Sequence, residues 1–102
     1  MPPFHPLYEG FSEATLRTVW NKATIVAGQD PNHLRKDQCG AWIRYNEHGN
    51  RNSELGWEAD HVYPKSLGGS SDVGNLQPLH WQNNVAKSDK PGSWTCAISA
   101  RQ

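Results

Sequence analysis

Within residues 57–90 the chain gathers the side chains that phosphate-ester hydrolysis asks for. Asp60 supplies a carboxylate and Asn84 an amide oxygen. Both are hard donors, suited to magnesium or manganese rather than zinc. His61 follows Asp60 directly, and imidazole is the side chain best able to take a proton from water near neutral pH. Lys87 offers a cation three residues after Asn84, placed to meet a phosphate. Ligation of an ion and removal of a proton would thus fall to adjacent residues. Glu58 and His80 are candidates for a supporting layer behind the ligands, with His80 equally readable as a plain helix-start residue. Lys65 and Arg44 are further candidates for contact with a nucleic-acid backbone.

These residues need elements to hold them. Trp57 to Tyr63 alternates bulky and polar residues and stops at Pro64, which predicts a strand end. Strict alternation sends Asp60 and His61 to opposite faces, so a shared site would require a twist or bulge there. Gly68-Gly69-Ser70-Ser71 predicts a loop. Leu76 to Leu79 suits a short strand, and His80 to Ser88 a helix stopped by Asp89-Lys90-Pro91-Gly92. On that helix His80, Asn84 and Lys87 form one stripe. Trp81 and Val85 form the neighbouring stripe, expected to be the packed one.

Taken together, Asp60-His61-x-x-Pro64, Gly68-Gly69, Asn75-Leu76-Gln77-x-Leu79 and Asn84-x-x-Lys87 resemble the motif of the HNH endonucleases. The resemblance implies an α+β chain with a small ββα-metal fold, an antiparallel hairpin plus a helix. It implies that His61 is the general base and that Asp60 and Asn84 hold one divalent cation, Mg2+ or Mn2+. By the same resemblance Asn75 braces the loop and orients the base. DNA is the implied substrate, with 5′-phosphate and 3′-hydroxyl products. One site per chain implies nicking by a monomer, and a homodimer for cutting both strands.

Many HNH relatives also carry a structural zinc on paired Cys-x-x-Cys knuckles. This sequence departs from that pattern. It has only Cys39 upstream, and His80-x-x-Asn83 stands where the downstream pair would be. Two ligands do not close a structural zinc site, so none is expected. Trp42 and Trp81 are the candidates to replace the lost metal by apolar packing.

The 102 residues predict one domain, residues 12–102, with its motif core at 57–90 and an extended proline-rich arm at 1–11. Apolar content is 35%, so the core is small, and five tryptophans have to fill much of it. Ten basic residues balance ten acidic ones. Nonspecific DNA affinity comes from released counterions, so a neutral chain must grip DNA locally, through a bound metal, or through a separate recognition or recruiting protein. That neutrality motivates a rival reading, a DNA-binding or recruitment module with a vestigial motif; a toxin-type nuclease acting on DNA or RNA is a third, minor one. The start, MPPFHPLYEG, has no apolar run, so the expectation is a cytoplasmic protein with reduced Cys39 and Cys96.

Elsewhere the sequence predicts scaffold. Ser12 to about Ala27 has an N-cap and an apolar face at helical spacing, forming an N-terminal scaffold helix. Residues 28–38 are a polar connection with a weak basic spot at His33, Arg35 and Lys36. Cys39 to Tyr45 is a strand expected to pair antiparallel with 56–62. Arg44 would then meet either a phosphate or, across the strands, Glu58. Ser93 to Ala100 alternates well enough for a short terminal strand.

Overall fold

The structure, a computed structural model, describes residues 10–100; most of the expected N-terminal arm lies outside the described residues. Helix α1 spans Glu13–Trp20. It starts where expected: the Ser12 hydroxyl accepts from Thr15 N at 3.1 Å, and Glu13 sits in the first turn against the positive end of the helix dipole. It ends well before Ala27. The guanidinium of Arg35 donates to the carbonyls of Asn21, Ala23 and Pro31 at 3.1, 3.1 and 2.8 Å. A cation on the carbonyls at a helix end is a favourable stop. The β-branched run Thr24-Ile25-Val26 then turns extended, and Thr24 exchanges backbone hydrogen bonds with Lys36. Arg35, read in the sequence as part of a basic spot, is therefore buried scaffold.

Strands β1 (Leu34–Lys36) and β2 (Trp42–Arg44) form one antiparallel hairpin, with Leu34 opposite Arg44 and Lys36 opposite Trp42. Strands β3 (Trp57–His61) and β4 (Leu76–His80) form a second, registered from Trp57 opposite His80 to His61 opposite Leu76. The expected pairing of 41–46 with 56–62 is thus not the one adopted. The reason lies in the turn between β1 and β2. The Asp37 carboxylate accepts from Cys39 N and Ala41 N, both at 2.9 Å, and Gly40 takes the left-handed conformation, φ 83°. That closes β2 onto β1 and leaves β3 to its other neighbour. Arg44 and Glu58 accordingly do not face each other across a sheet.

The two hairpins and α1 share one core. Leu16, Val19, Trp20, Ala23, Ile43, Trp57 and Leu76 are buried together, with Phe11, Tyr45 and Ala59 packed on them. Trp20 and Trp57 lie 5.4 Å apart, and each satisfies its indole N–H on a carbonyl, Pro31 O at 2.9 Å and Tyr45 O at 3.1 Å. Few apolar residues suffice because two fully buried indoles fill the centre.

Helix α2 spans Trp81–Lys87 and packs on β3 and β4. His80 caps it: Nδ1 accepts from Gln82 N at 3.0 Å while Nε2 donates to Glu54 O at 2.8 Å. Its inward face is the reverse of the expected one. Val85 is 53% exposed, whereas Asn83 and Lys87 are buried. The surfaces that receive α2 are themselves polar, so polar side chains pack inward where each meets a partner.

Residues 93–100 form no strand. They are tied down by Asn83, whose Oδ1 accepts from Ala97 N and Ile98 N at 2.8 and 2.9 Å and whose Nδ2 donates to Ile98 O at 3.1 Å. Cys96 is joined to Cys39 in a disulfide, which corrects the expectation of two reduced thiols. Asp37 completes the arrangement: its Oδ2 accepts from His80 N and Asn83 Nδ2 at 2.9 and 3.0 Å. Residues 37–39 and 80–83, the segments that would carry zinc knuckles in relatives, are thus joined directly by the buried Asp37 carboxylate, and indirectly by the disulfide from Cys39 to the tail that Asn83 holds. This, rather than packing of Trp42 and Trp81, bridges them. Trp42 lies under Lys36, with the ammonium 4.7 Å from the ring centre, and Trp81 donates to Ser53 O at 2.9 Å.

Candidate active site

Strand β3 distributes the chemistry between its two faces. Its register against β4 runs unbroken through Asp60 and His61, so the bulge that a common face would need is absent from β3. Glu58 and Asp60 lie on the side covered by α2. Trp57, Ala59 and His61 lie on the other, where Trp57 and Ala59 join the core and the His61 ring sits 6.4 Å from that of Phe11.

Asp60 is 6% exposed. Its Oδ2 accepts from Gln77 Nε2 at 2.9 Å and faces Lys87 Nζ at 3.3 Å. Gln77 is aimed by a further bond, its Oε1 accepting from Gln38 Nε2 at 2.7 Å. Burial pushes the Asp60 carboxyl above its ordinary range, and Gln77, Lys87 and His61 pull against that rise. Lys87, expected at a phosphate, is instead 2% exposed. Besides Asp60 it reaches the carbonyl of His61, donating at 2.9 Å. Its ammonium therefore compensates a buried carboxylate and ties α2 to the end of β3.

Asn84 meets Glu58 rather than Asp60: its Nδ2 donates to Glu58 Oε1 at 2.7 Å. Glu58 in turn takes a two-pronged grip from Arg51, Nε to Oε2 at 2.6 Å and Nη2 to Oε1 at 2.8 Å. That bond is the main cause of the rise in the Arg51 pKa. The strand and helix thus meet through two rungs, 58 with 84 and 60 with 87. Glu58, Asp60 and Asn84 line this seam with hard oxygen donors. Among the described residues no group of three His, Cys, Asp or Glu could hold a metal, so an ion here would rest on carboxylate and amide oxygens together. That donor set fits magnesium or manganese.

The loop after β3 is held by Asn75. Its Oδ1 accepts from Tyr63 N at 2.9 Å, and its Nδ2 donates to Tyr63 O and Ser70 O at 3.0 and 2.8 Å. The same loop carries Ser71, whose Oγ lies 2.9 Å from His61 Nε2. Lys65 lies exposed in a short 3₁₀ turn of that loop, and Arg44 lies exposed at the end of β2. His80 is fully buried as the helix cap described above.

Sequence reasoning passed over Arg51, Gln77, Asp37 and Asn83. Gln77 stands directly opposite Asp60 in the β3–β4 register, so pairing the two expected strands would have found it. Arg51, Asp37 and Asn83 act through partners that no local pattern names.

Residues 42–90 match the family model described as HNH endonuclease, and over that stretch the chain carries an HNH endonuclease domain. No curated protein matches the chain, and no solved structure does. The family points to a nuclease of the hydrolase class; its members act on DNA and generally use a divalent metal. No helix among the described residues is long and apolar enough to cross a membrane.

Proposed function

We propose that this chain is a divalent-cation-dependent DNA endonuclease that hydrolyses one strand per encounter. The observation that carries the reading is the seam between β3 and α2, inside the HNH-matching stretch. There the Asp60 carboxylate and the Asn84 amide are presented from facing elements. In this reading both hold the cation, Mg2+ or Mn2+. When bound, it supplies charge for the phosphate and the leaving oxygen.

The chain's own residues do the rest. Asn75 fixes the loop that carries Ser71, and Ser71 fixes the ring of His61. In the tautomer whose Nε2–H donates to Ser71 Oγ, the basic lone pair sits on Nδ1. At the end of β3 the His61 ring is close enough to Asp60 across the strand to act on its carboxyl; there His61 takes a proton from water, the hydroxide oxygen bonds to phosphorus, and the bond to the 3′ oxygen breaks. The departing 3′ oxygen takes up a proton from solvent water, so the products are a 5′-phosphate and a 3′-hydroxyl. We assign Lys87 to the Asp60 carboxylate rather than to substrate, and the exposed Arg44 and Lys65 to the DNA backbone. With equal numbers of acidic and basic residues, the grip on DNA is local and sensitive to salt.

A supercoiled plasmid tests this. Nicked circles should accumulate with Mg2+ or Mn2+ and not with chelator. His61→Ala should slow nicking by about 10²–10⁴-fold while leaving the fold intact. Binding of plasmid without nicking under any metal would favour a DNA-binding module instead.

A further inference from the structure

We infer that Glu58 is a positioning residue that sets which way the Asn84 side chain faces, nitrogen toward the Glu58 carboxylate and oxygen toward the cation. The inference rests on the assignment of Asn84 to the cation made above, and goes further by naming what makes that amide competent.

An asparagine amide has a donor end and an acceptor end of nearly the same shape. Only the oxygen can ligate a hard cation. An asparagine at a metal site therefore works in one of its two flips, and something must choose. Here the choice is made chemically. Glu58 presents carboxylate oxygen to Asn84, and carboxylate only accepts, so the end facing it at 2.7 Å is Nδ2. Nδ2 and Oδ1 diverge from one carbon, so Oδ1 points away from Glu58. The reverse flip would set two acceptors against each other.

Glu58 is itself held in that role. The Arg51 guanidinium carries donors only, and its fork engages both carboxylate oxygens. That two-pronged grip holds the carboxylate plane of Glu58 in place. Arg51 lies alongside Trp81 on α2, with the guanidinium carbon 6.0 Å from the ring centre. The orienting chain therefore runs Trp81, Arg51, Glu58, Asn84, from the start of α2 back to its middle.

Two substitutions at Glu58 separate orientation from charge. Glu58→Gln and Glu58→Ala remove the same charge, but only the first retains a carbonyl to accept from Asn84. Mn2+ alone, titrated by calorimetry, should bind Glu58→Ala about tenfold more weakly than Glu58→Gln, the scale seen when a group orienting a metal ligand is lost. In an Asn84→Asp background there is no amide to orient, and the two Glu58 variants should bind Mn2+ equally. A ratio near one with Asn84 present, or an undiminished ratio with Asn84→Asp, overturns the inference. The second result would make Glu58 a ligand in its own right.

A metal-free reading keeps this apart from the cation assignment. The Asn84 NH2 protons should exchange slowly by NMR in the wild type and fast in Glu58→Ala. Fast exchange in both overturns the positioning role. If Asn84→Ala leaves Mn2+ affinity unchanged while the amide protons behave as expected, the metal assignment fails and the orienting contact stands.

Discussion

Replacing Lys87 with methionine keeps most of the buried side-chain volume and deletes the charge. The side chains of Lys87 and Asp60 are 3% and 7% exposed and lie 3.3 Å apart. Removing one partner of such a pair leaves an uncompensated buried charge, which costs roughly 3–5 kcal/mol. The lower end applies here, because Gln77 still donates to Asp60 and the carboxyl can take up a proton. For a domain of this size, about 3 kcal/mol lowers the melting temperature by roughly 10–25 °C. The pH dependence follows from the causes acting on Asp60. Burial raises its carboxyl, and Lys87 is one of the groups lowering it. In Lys87→Met the carboxyl rises further. A carboxyl raised on folding contributes stability that is present below its ordinary value of 3.8 and lost as pH rises through its folded value. The deficit of the variant should therefore be small near pH 4 and full at neutral pH. Thermal melts followed by circular dichroism in chelator, from pH 4 to 7.5, read both quantities. Equal melting temperatures at pH 7, or a deficit as large at pH 4 as at pH 7, would refute the claim that Lys87 compensates Asp60. Adding Mn2+ should recover part of the loss, since a ligand at 100 times its Kd stabilises by about 2.7 kcal/mol.

Other outcomes follow from the same structure. The Cys39–Cys96 bridge spans 57 residues, and loop-closure entropy puts its contribution at about 4 kcal/mol; Cys96→Ser, or full reduction checked by thiol titration, should lower the denaturant midpoint, and an unchanged midpoint would contradict it. His48 packs on Trp57 with ring centres 4.8 Å apart, and burial depresses its pKa against the opposing pull of Glu58 and Glu13. Stability from a depressed histidine is full above its ordinary 6.5 and falls as pH drops below it, so between pH 7 and 5 the wild type should lose more stability than His48→Gln in parallel melts. Asn75→Ala removes three hydrogen bonds from the loop carrying Ser71; nicking should fall with little change in Mn2+ affinity, and a parallel loss of both would show that the loop also shapes the cation site.

The contact between α2 and the strand face bearing Glu58 and Asp60 gives an account of how a neutral chain can build a charged site. Glu58 is matched by Arg51 and Asp60 by Lys87, so the seam carries two carboxylates with two cations. Each buried charge is hydrogen-bonded as well as paired, the condition under which burial is tolerated. Two of the ten basic residues are thereby spent on the site's own acids. Arg35 is spent on helix-end carbonyls. With three of the ten basic residues held inside the protein in this way, the charge left to meet a phosphate backbone is smaller than the composition suggests.

The order of elements was legible in the sequence because it is written in local patterns. Alternation from Trp57, the glycines at 68 and 69, and the helix start at His80 each involve neighbours a few residues apart. Alternation also sends Glu58 and Asp60 to one face and His61 to the other, and the unbroken register of β3 on β4 keeps them there. What sequence reading could not decide was the partner of each charged or polar group. Lys87 reads as an exposed lysine until α2 docks and delivers it to Asp60. Asn84 reads as a partner of Asp60 until the same docking sets it against Glu58. Cys39 and Cys96 read as separate thiols until Asn83 and Asp37 draw residues 93–100 alongside. Periodicity is set by the backbone of a single element, whereas pairing depends on how two elements are placed against each other. That placement is fixed by the whole core, with Trp20 and Trp57 at its centre.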